Sequence, residues 1–376
     1  MLRLGLFRAL AVLAYIPVAL PAQGLTREGG RWVETITGTA PAAARLRVNA
    51  QGPVHLEGGA ANEITYTAKL SVEVRSEEDA RRIFSRYALR VISAGDLVVL
   101  TAPGGPVVTA LSIKAPRLNA AAITTPDGGV EANGIDGSLE VNTGAGELKC
   151  DRIRGDCDLS TAGGDIHVGE VGGDLRCATA GGRITVKSVR GEAVLQTAGG
   201  DVEVTDAGAS VRADTSGGAI RVNNAGGSVA ASTGGGSIVV GKAGGIVTAR
   251  NMAGPVQVGA AAGVRCESGT GGIRVSNISG PMRVSTTVGS IVASLLSGRP
   301  LADSFLATGN GDITVVIPSN VGVNIRADTQ RRIVSDFPGI TVRTLGPQVV
   351  AEGAVNGGGP LLRISGMGGT IFIKRQ

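Results

Sequence analysis

The middle of the chain, from about residue 125 to residue 315, repeats one pattern of apolar and variable positions. Four copies begin 18 residues apart and read TAGGDIHV from Thr161, TAGGRITV from Thr179, TAGGDVEV from Thr197 and TSGGAIRV from Thr215. In each copy two apolar residues flank one variable residue. The first apolar column reads Val130, Leu148, Ile166, Ile184, Val202, Ile220, Ile238, Val256, Ile273, Ile291 and Ile313. Period-2 alternation of mostly β-branched residues is typical of strands with one buried face.

A second, weaker triplet of the same kind follows nine residues after the first, as in Leu175, Arg176 and Cys177. Glycine pairs such as Gly163 and Gly164 separate the triplets, and glycine suits sharp corners. Each period therefore contains two short strands. A single coil cannot bury its own apolar face, so successive coils must stack. We predict an all-β fold, a single-stranded parallel β-solenoid (β-helix) with about 18 residues and two short strands per coil over residues 116–317.

A column of threonines stands just before one of the two corners. It reads Thr143, Thr161, Thr179, Thr197, Thr215 and Thr233. Hydroxyl groups in such a position hydrogen-bond to turn backbone or to each other. The column predicts a ladder of polar contacts at the corner.

The flanking segments predict caps for the two ends of the stack, because end strands carry unpaired backbone groups. Residues 25–115 contain strand patterns, the longest over residues 64–74. Ser76 and Asp79 form a capping-box pattern, and apolar residues then recur at helical spacing, which predicts one helix from Glu77 to about Leu89. Residues 318–376 predict C-terminal coils and a cap, since two triplets nine residues apart return at Leu362 and Ile371.

Residues 1–24 predict a secretory signal peptide. Arg3 and Arg8 come before and at the start of an apolar run, and Ala22, Gln23 and Gly24 provide a small-x-small cleavage pattern. The run is short for a transmembrane helix, which needs ~20 residues. An uncleaved membrane anchor is the alternative. No later segment resembles a membrane span.

The chain resembles the bacterial putative-adhesin family of exported β-solenoid proteins, a domain of unknown function. The resemblance lies in the repeated T-x-G-G-D-I-x-V, in TGNGDITVVIP from Thr308 followed by SDFP from Ser335, and in NGGGPLLRISGMGGTIFIK from Asn356. It implies a continuous β-solenoid outside the cytoplasm. It implies no catalytic residues and transfers no site residues to this chain.

Composition and charge narrow the choice of function. Glycine is abundant at 60 of 376 residues and aromatic residues make up 2%. The mean hydropathy of +0.21 and the regular apolar columns argue against disorder. The net charge of +5 is mild and not clustered, so we expect no nucleic-acid partner. The expected partner is an envelope or extracellular polymer or protein.

Three acidic residues in successive coils suggest a metal site. Asp156, Asp174 and Glu192 precede the second strand of their coils and would stand ~4.8 Å apart. Like charges at this spacing repel. Either local ion pairs with Arg154 and Arg190 compensate the charge, or the carboxylates share a calcium ion, which prefers oxygen ligands.

Three arginines form the second candidate site. Arg212, Arg265 and Arg283 fall in or beside the outward column of the second strand, the last two on adjacent coils. They are either part of a solvated face or a contact surface for an anionic polymer or lipid headgroups.

Four cysteines in an exported chain raise the question of disulfides. Cys177 and Cys266 share a column but lie five coils apart, which is too far for a bond. Cys150 and Cys157 fall in one coil on opposite strands, where pairing is marginal. Buried thiols are the other interpretation.

The sequence offers little for catalysis. The chain has two histidines: His167 has no repeated partner in its outward column, and His55 lies in the N-terminal strands. No cofactor is expected apart from the calcium hypothesis. We therefore expect an exported, non-enzymatic, adhesin-like binding or structural scaffold at the cell envelope, whether periplasmic, cell-surface or secreted. The alternative is a degenerate polysaccharide-acting β-helix enzyme.

We predict that the mature protein starts between Gln23 and Leu25, because signal peptidase cleaves after small residues that follow the apolar run. Mass spectrometry of the protein recovered from the envelope or the medium measures this. An N-terminus at Met1 on the mature protein would contradict the prediction and favour the membrane anchor.

Overall fold

The computed structural model describes residues 14–15, 25–296 and 302–376, and it is all-β with a single short helix among those residues. The predicted signal segment lies outside the described residues, apart from a two-residue strand. The described chain forms two compact units, Met1–Gly164 and Asp165–Gln376. Both contain parallel coils of two strands, as the sequence predicts for residues 116–317, and both also contain antiparallel strands.

The first unit contains fourteen strands and one helix among its described residues. They are β1 (Ala14–Tyr15), β2 (Thr26–Glu28), β3 (Arg31–Ala40), β4 (Arg45–Asn49), β5 (Val54–Gly58), β6 (Ile64–Val72), α1 (Glu77–Phe84), β7 (Arg90–Ala94), β8 (Leu97–Thr101), β9 (Val108–Ala115), β10 (Ala120–Thr125), β11 (Val130–Ile135), β12 (Ser138–Thr143), β13 (Leu148–Ile153) and β14 (Cys157–Thr161).

Two sheets run through this unit, and they do not follow chain order at the start. The coil β4–β5 lies between the coils β8–β9 and β10–β11, with parallel pairing on both sides. Beyond β9, the strands β6, β3 and β2 continue one sheet in antiparallel pairing. Beyond β8, β7 and then β1 continue the other. The parallel stack therefore ends in antiparallel strands, as a cap requires.

The capping box of α1 is confirmed, but the helix is shorter than predicted. The Asp79 amide N–H donates to Ser76 Oγ (3.1 Å) and Ser76 Oγ donates to the Asp79 carboxylate (2.7 Å). The helix ends at Phe84 instead of near Leu89. The buried Tyr87 hydroxyl hydrogen-bonds Thr109 Oγ1 in β9 (2.7 Å), so the chain leaves the helical path to reach that strand.

The second unit contains twenty-three strands in its described residues. They are β15 (Ile166–Val171), β16 (Leu175–Thr179), β17 (Ile184–Val189), β18 (Ala193–Thr197), β19 (Val202–Ala207), β20 (Val211–Thr215), β21 (Ile220–Ala225), β22 (Val229–Thr233), β23 (Ile238–Ala243), β24 (Ile246–Ala253), β25 (Val256–Ala260), β26 (Gly263–Thr270), β27 (Ile273–Ile278), β28 (Met282–Val288), β29 (Ile291–Leu295), β30 (Ser304–Asn310), β31 (Ile313–Ile317), β32 (Val323–Thr329), β33 (Ile333–Ser335), β34 (Ile340–Leu345), β35 (Gln348–Val355), β36 (Leu361–Gly366) and β37 (Ile371–Arg375).

The C-terminal strands of this unit rejoin the stack, as predicted, but at an internal position. β36 pairs in parallel with β30 on one side and with β32 on the other. β37 likewise lies between β31 and β33. The coil β36–β37, which is the last in chain order, thus lies between the coils β30–β31 and β32–β33, which precede it in the sequence. The antiparallel strands β35 and β34 extend the sheet beyond β32.

The predicted core column is confirmed. Ile166, Ile184, Val202, Ile220 and Ile238 are buried and paired in register from strand to strand. The variable residues between the apolar columns face outward. Burial of one such side chain contributes about 1.5–3 kcal/mol.

The four cysteines are part of this core. Each is at most 2% exposed. Cys157 carries a free thiol and therefore forms no disulfide with Cys150. Burial, with a smaller contribution from Glu267, raises the pKa of Cys266 to about 12, so this thiol stays protonated at neutral pH.

The threonine column closes the corners by hydrogen bonds to backbone. Thr197 Oγ1 donates to the Gly182 carbonyl of the preceding coil (2.9 Å) and accepts the Gly200 amide N–H of its own corner (3.2 Å). Thr215 repeats this one coil later, with its hydroxyl donating to the Gly200 carbonyl (3.0 Å). Each threonine therefore links two coils. A typical hydrogen bond contributes ~0.5–1.5 kcal/mol to the free energy of unfolding.

Glycine is required at one position of each corner because two backbones approach closely there. A Cβ atom on Gly200 would lie 1.9 Å from the Gly182 carbonyl oxygen, and one on Gly218 would lie 2.0 Å from that of Gly200. By contrast, a Cβ atom on the neighbouring Gly199 would meet nothing closer than 3.8 Å. The two glycines of one corner thus have different roles.

We predict that Gly200→Ala lowers stability by about 1–3 kcal/mol, the usual cost of overpacking. Gly199→Ala should change it by less than about 0.5 kcal/mol, as surface substitutions do. Urea unfolding followed by circular dichroism measures both. Equal unfolding midpoints for the two variants would show that the close approach does not constrain the corner.

Candidate functional site

The outer face of one sheet of the second unit carries a row of four arginines and one phenylalanine. Its members, which we call the arginine row, occupy one register position on five neighbouring strands: Arg265 on β26, Arg283 on β28, Phe305 on β30, Arg363 on β36 and Arg326 on β32. All five are exposed. Neighbouring strands lie ~4.8 Å apart, so the row spans about 19 Å.

The two arginines at the ends of the row have carboxylate partners. Arg265 Nε lies 3.2 Å from Glu267, which also lies near Arg250. Arg326 Nε lies 3.5 Å from Glu352. The positive charge at either end is therefore partly neutralised.

The two arginines at the centre differ from those at the ends. Neither Arg283 nor Arg363 forms an ion pair with any residue that the structure describes. The outward residues beside them in the next column are Ser285, Ala307 and Ser365, none of which is charged.

Two carboxylates lie close to this centre. Asp303, two residues before Phe305, accepts the Leu361 amide N–H (2.9 Å), and Asp328 accepts the Ser365 hydroxyl (2.8 Å). Because neither carboxylate pairs with Arg283 or Arg363, both guanidinium groups remain without an ion-pair partner among the described residues.

An apolar surface separates these two arginines. Phe305, between them, is 38% exposed. Leu361, two residues before Arg363 on the adjacent strand, is 41% exposed and is a diagonal neighbour of Phe305 in the register. An aromatic face flanked by unpaired guanidinium groups can take up a ligand that is both apolar and anionic.

The structure brings two of the three arginines predicted from the sequence together. Arg265 and Arg283 are direct register partners. Arg212, on β20, lies three strands from Arg265, with Ala230 and Thr248 between them. Its guanidinium Nε donates to Asp214 (3.0 Å).

Sequence reasoning missed Phe305, Arg326 and Arg363. They join the row because β36, from the end of the chain, is inserted between β30 and β32. A signal was available, since Arg363 is the variable residue of a recognised triplet with Leu362 and Ile364. The sequence did not indicate which coils of the stack that triplet would lie between.

The predicted acidic residues occupy corner positions. In the second unit the Asp174 carboxylate accepts the Glu192 amide N–H of the next coil (2.8 Å). Ser210 and Asp201 accept backbone N–H groups of their next coils in the same manner. These side chains therefore brace one coil against the next.

Asp156, the third member of the predicted metal site, belongs to the first unit. Arg154 does not form the local ion pair with Asp156 that the sequence suggested. Arg154 Nη1 instead lies 2.9 Å from Asp136. Across the described ranges, no three His, Cys, Asp or Glu side chains converge as metal ligands would.

His55 lines a shallow groove of about 440 Å³ on the outer face of the first unit. Its Nδ1 lies 3.2 Å from Glu131 Oε2. The lysines of the groove are paired as well, Lys149 with Glu147 (2.8 Å) and Lys69 with Glu28 (2.7 Å). The hydrogen bond to Glu147 raises the pKa of Lys149. Because the charges satisfy each other, the groove has less to offer a charged ligand than the arginine row.

No helix in the part of the chain that the structure describes is long and apolar enough to cross a membrane. No protein-family model matches the chain, and no curated protein matches it.

Solved structures of three bacterial proteins show some likeness to the chain. A putative adhesin from Bacteroides fragilis is 16% identical, with 69% of this chain and 95% of that chain covered and a TM-score of 0.32. A putative cell adhesion protein from Clostridium sporogenes is 10% identical, with 92% and 100% covered and a TM-score of 0.20. A putative adhesin from Parabacteroides distasonis is 9% identical, with 91% and 97% covered and a TM-score of 0.23. Likenesses at this level carry no argument about function.

We predict that Asp174→Ala lowers stability by about 1 kcal/mol because the Glu192 amide loses its acceptor, whereas Asp174→Asn keeps an acceptor oxygen and stays near wild type. Thermal unfolding measures the difference.

Calorimetry with calcium on the wild type and on Asp174→Asn tests the calcium hypothesis, which expects binding heat only in the wild type. Absent or equal heats would leave these residues as corner braces alone.

Proposed function

We propose that this chain is an exported, non-enzymatic binding scaffold of the adhesin type, and that the arginine row holds an anionic polymer of the cell envelope or surroundings. The observation that carries the proposal is the pair of exposed, unpaired arginines, Arg283 and Arg363, at the centre of a straight row. The predicted signal segment supports a location outside the cytoplasm.

Electrostatics favours a ligand at this place. Arg283 stands ~4.8 Å from Arg265, and Arg363 stands ~4.8 Å from Arg326. Like charges at about this distance repel by ~1 kcal/mol in water, and by less where a carboxylate partly neutralises one of them. A bound anion removes this repulsion, and guanidinium groups bind carboxylates or phosphates in a two-pronged manner. A linear polymer would engage several arginines together, which raises its affinity over that of a single anion.

The solenoid suits such a role because its outer columns are independent of its core. The apolar columns and the corner residues hold the stack together, while the variable residues face solvent. Outward residues can therefore form a rigid contact surface without loss of stability, and rigid surfaces bind with a small entropic cost.

The alternative of a polysaccharide-acting enzyme has its best support at the groove beside His55, which contains the carboxylates of Glu131 and Glu147. Paired carboxylates are the usual catalytic groups of glycoside hydrolysis. A glycan-cleavage screen on the purified protein tests this role. Cleavage that disappears in Glu131→Gln would replace the proposal of a non-enzymatic scaffold.

We predict that Arg283→Glu weakens binding to an anionic polymer such as polyglutamate or polygalacturonate by at least about tenfold, since a charge-assisted contact contributes ~1.5–3 kcal/mol. Biolayer interferometry at low and physiological salt measures the affinity, which should fall as salt rises.

Arg212→Glu is the matched control, because it makes the same change of charge in the same outward column, three strands from Arg265. It should weaken binding by less than about threefold, an effect of overall charge alone. Equal losses in the two variants, or no polymer binding by the wild type, would contradict the proposed site.

A further inference from the structure

We infer that the ligand of the arginine row is an acidic polysaccharide, a chain of sugar rings that carry carboxylates, and that one ring lies on Phe305. This inference rests on the proposed function and narrows the anionic polymer to one chemical class. The observation that leads to it is the position of an exposed aromatic ring at the midpoint between two unpaired arginines.

The spacing along the row alternates between charge and apolar surface. Arg283 and Arg363 are each one strand from Phe305, so they stand about 10 Å apart with the aromatic ring between them. A polymer with charge at every point along its backbone would place an anion over Phe305, where the negative face of the ring repels it. A polymer that alternates an apolar ring face with anionic groups fits this order better.

A sugar ring meets the requirement of the central position. One face of a pyranose ring exposes mainly C–H groups, which pack flat against an aromatic face with its partial negative charge. Leu361, exposed beside Phe305, widens the apolar surface on one side. Carboxylates on the flanking rings then lie toward Arg283 and Arg363, where guanidinium groups bind them in a two-pronged manner.

Of the polar groups near Phe305, Ser285 agrees with a sugar, whereas the Asp303 carboxylate accepts the Leu361 amide N–H (2.9 Å). Ser285 lies beside Arg283 in the next outward column, and Ala307 lies beside Phe305. A serine hydroxyl can hydrogen-bond to sugar hydroxyls, and the small alanine leaves space over the ring. The ion pairs Arg265–Glu267 and Arg326–Glu352 close the row at its two ends, so its unneutralised part is about three strands wide.

The test compares polymers that differ in whether they carry charge and in whether that charge is borne on sugar rings. The probes are polygalacturonate and alginate, fully methyl-esterified polygalacturonate as a neutral ring polymer, and polyglutamate and polyphosphate as polyanions without rings. Affinities are measured by biolayer interferometry in physiological salt at equal numbers of charges. The variants are Phe305→Ala, Arg283→Ala and, as a control for the loss of an exposed apolar side chain in the same sheet, Ile246→Ala.

We expect one or both acidic polysaccharides to bind about tenfold more tightly than polyglutamate and polyphosphate, and the neutral ring polymer to bind weakly. Phe305→Ala should remove this preference while binding to polyglutamate stays unchanged. Arg283→Ala should weaken binding to both classes, and Ile246→Ala should weaken neither.

Three results would overturn the inference. Tight binding that is the same with and without rings would leave the proposed function standing and reject the polysaccharide. A loss of polyglutamate binding in Phe305→Ala as large as the loss of polysaccharide binding would do the same, because it would show a general disturbance of the row. Failure of every polyanion to bind would reject the proposed function as well.

Discussion

The close approach of successive coils at their corners is the constraint on which the rest of the structure depends. Backbone hydrogen bonds hold neighbouring strands ~4.8 Å apart, and the corners must stack at the same distance. At Gly200 this places the backbone against the Gly182 carbonyl, where a Cβ atom would lie 1.9 Å from the oxygen. Glycine alone fits there, and the Thr197 hydroxyl then binds the polar groups that the corner exposes. The 18-residue repeat in the sequence reflects this packing.

A stack built in this way separates stability from recognition. The buried core columns recur from coil to coil in the described residues, with Asn251 and Ser268 in place of the corner threonine in two coils, whereas the outward residues vary. Residues far apart in the chain become neighbours ~4.8 Å apart when their coils are adjacent. Arg283 and Arg363 lie on either side of Phe305 for this reason. The surface chemistry of the molecule is therefore set by the order of coils in space, and not by the order of residues in the chain.

The fold was predictable from the sequence because the residue pattern within each coil indicates its own strands and corners. The ladder from Ile166 to Ile238, the threonine column and the N-cap Ser76 were predictable from local spacing. The insertion of β36 between β30 and β32 was not, since an apolar–variable–apolar triplet pairs equally well with any other. The arginine row was for that reason only partly predictable, through Arg265 and Arg283. Asp174 was visible as a polar corner residue, but its hydrogen bond to the next coil depends on the corner geometry.

The inserted C-terminal coil links the end of the fold to the candidate site. If β32 paired directly with β30, Arg326 would stand next to Phe305 and the row would lack Arg363. Insertion of β36 adds a second unpaired arginine on the far side of the aromatic ring and shifts Arg326 outward, where Glu352 of the antiparallel cap neutralises it. The strands that close the stack thus also determine which positive charges stay available. A change that displaces β36 would alter the outer face of β30 even though no residue of β30 had changed.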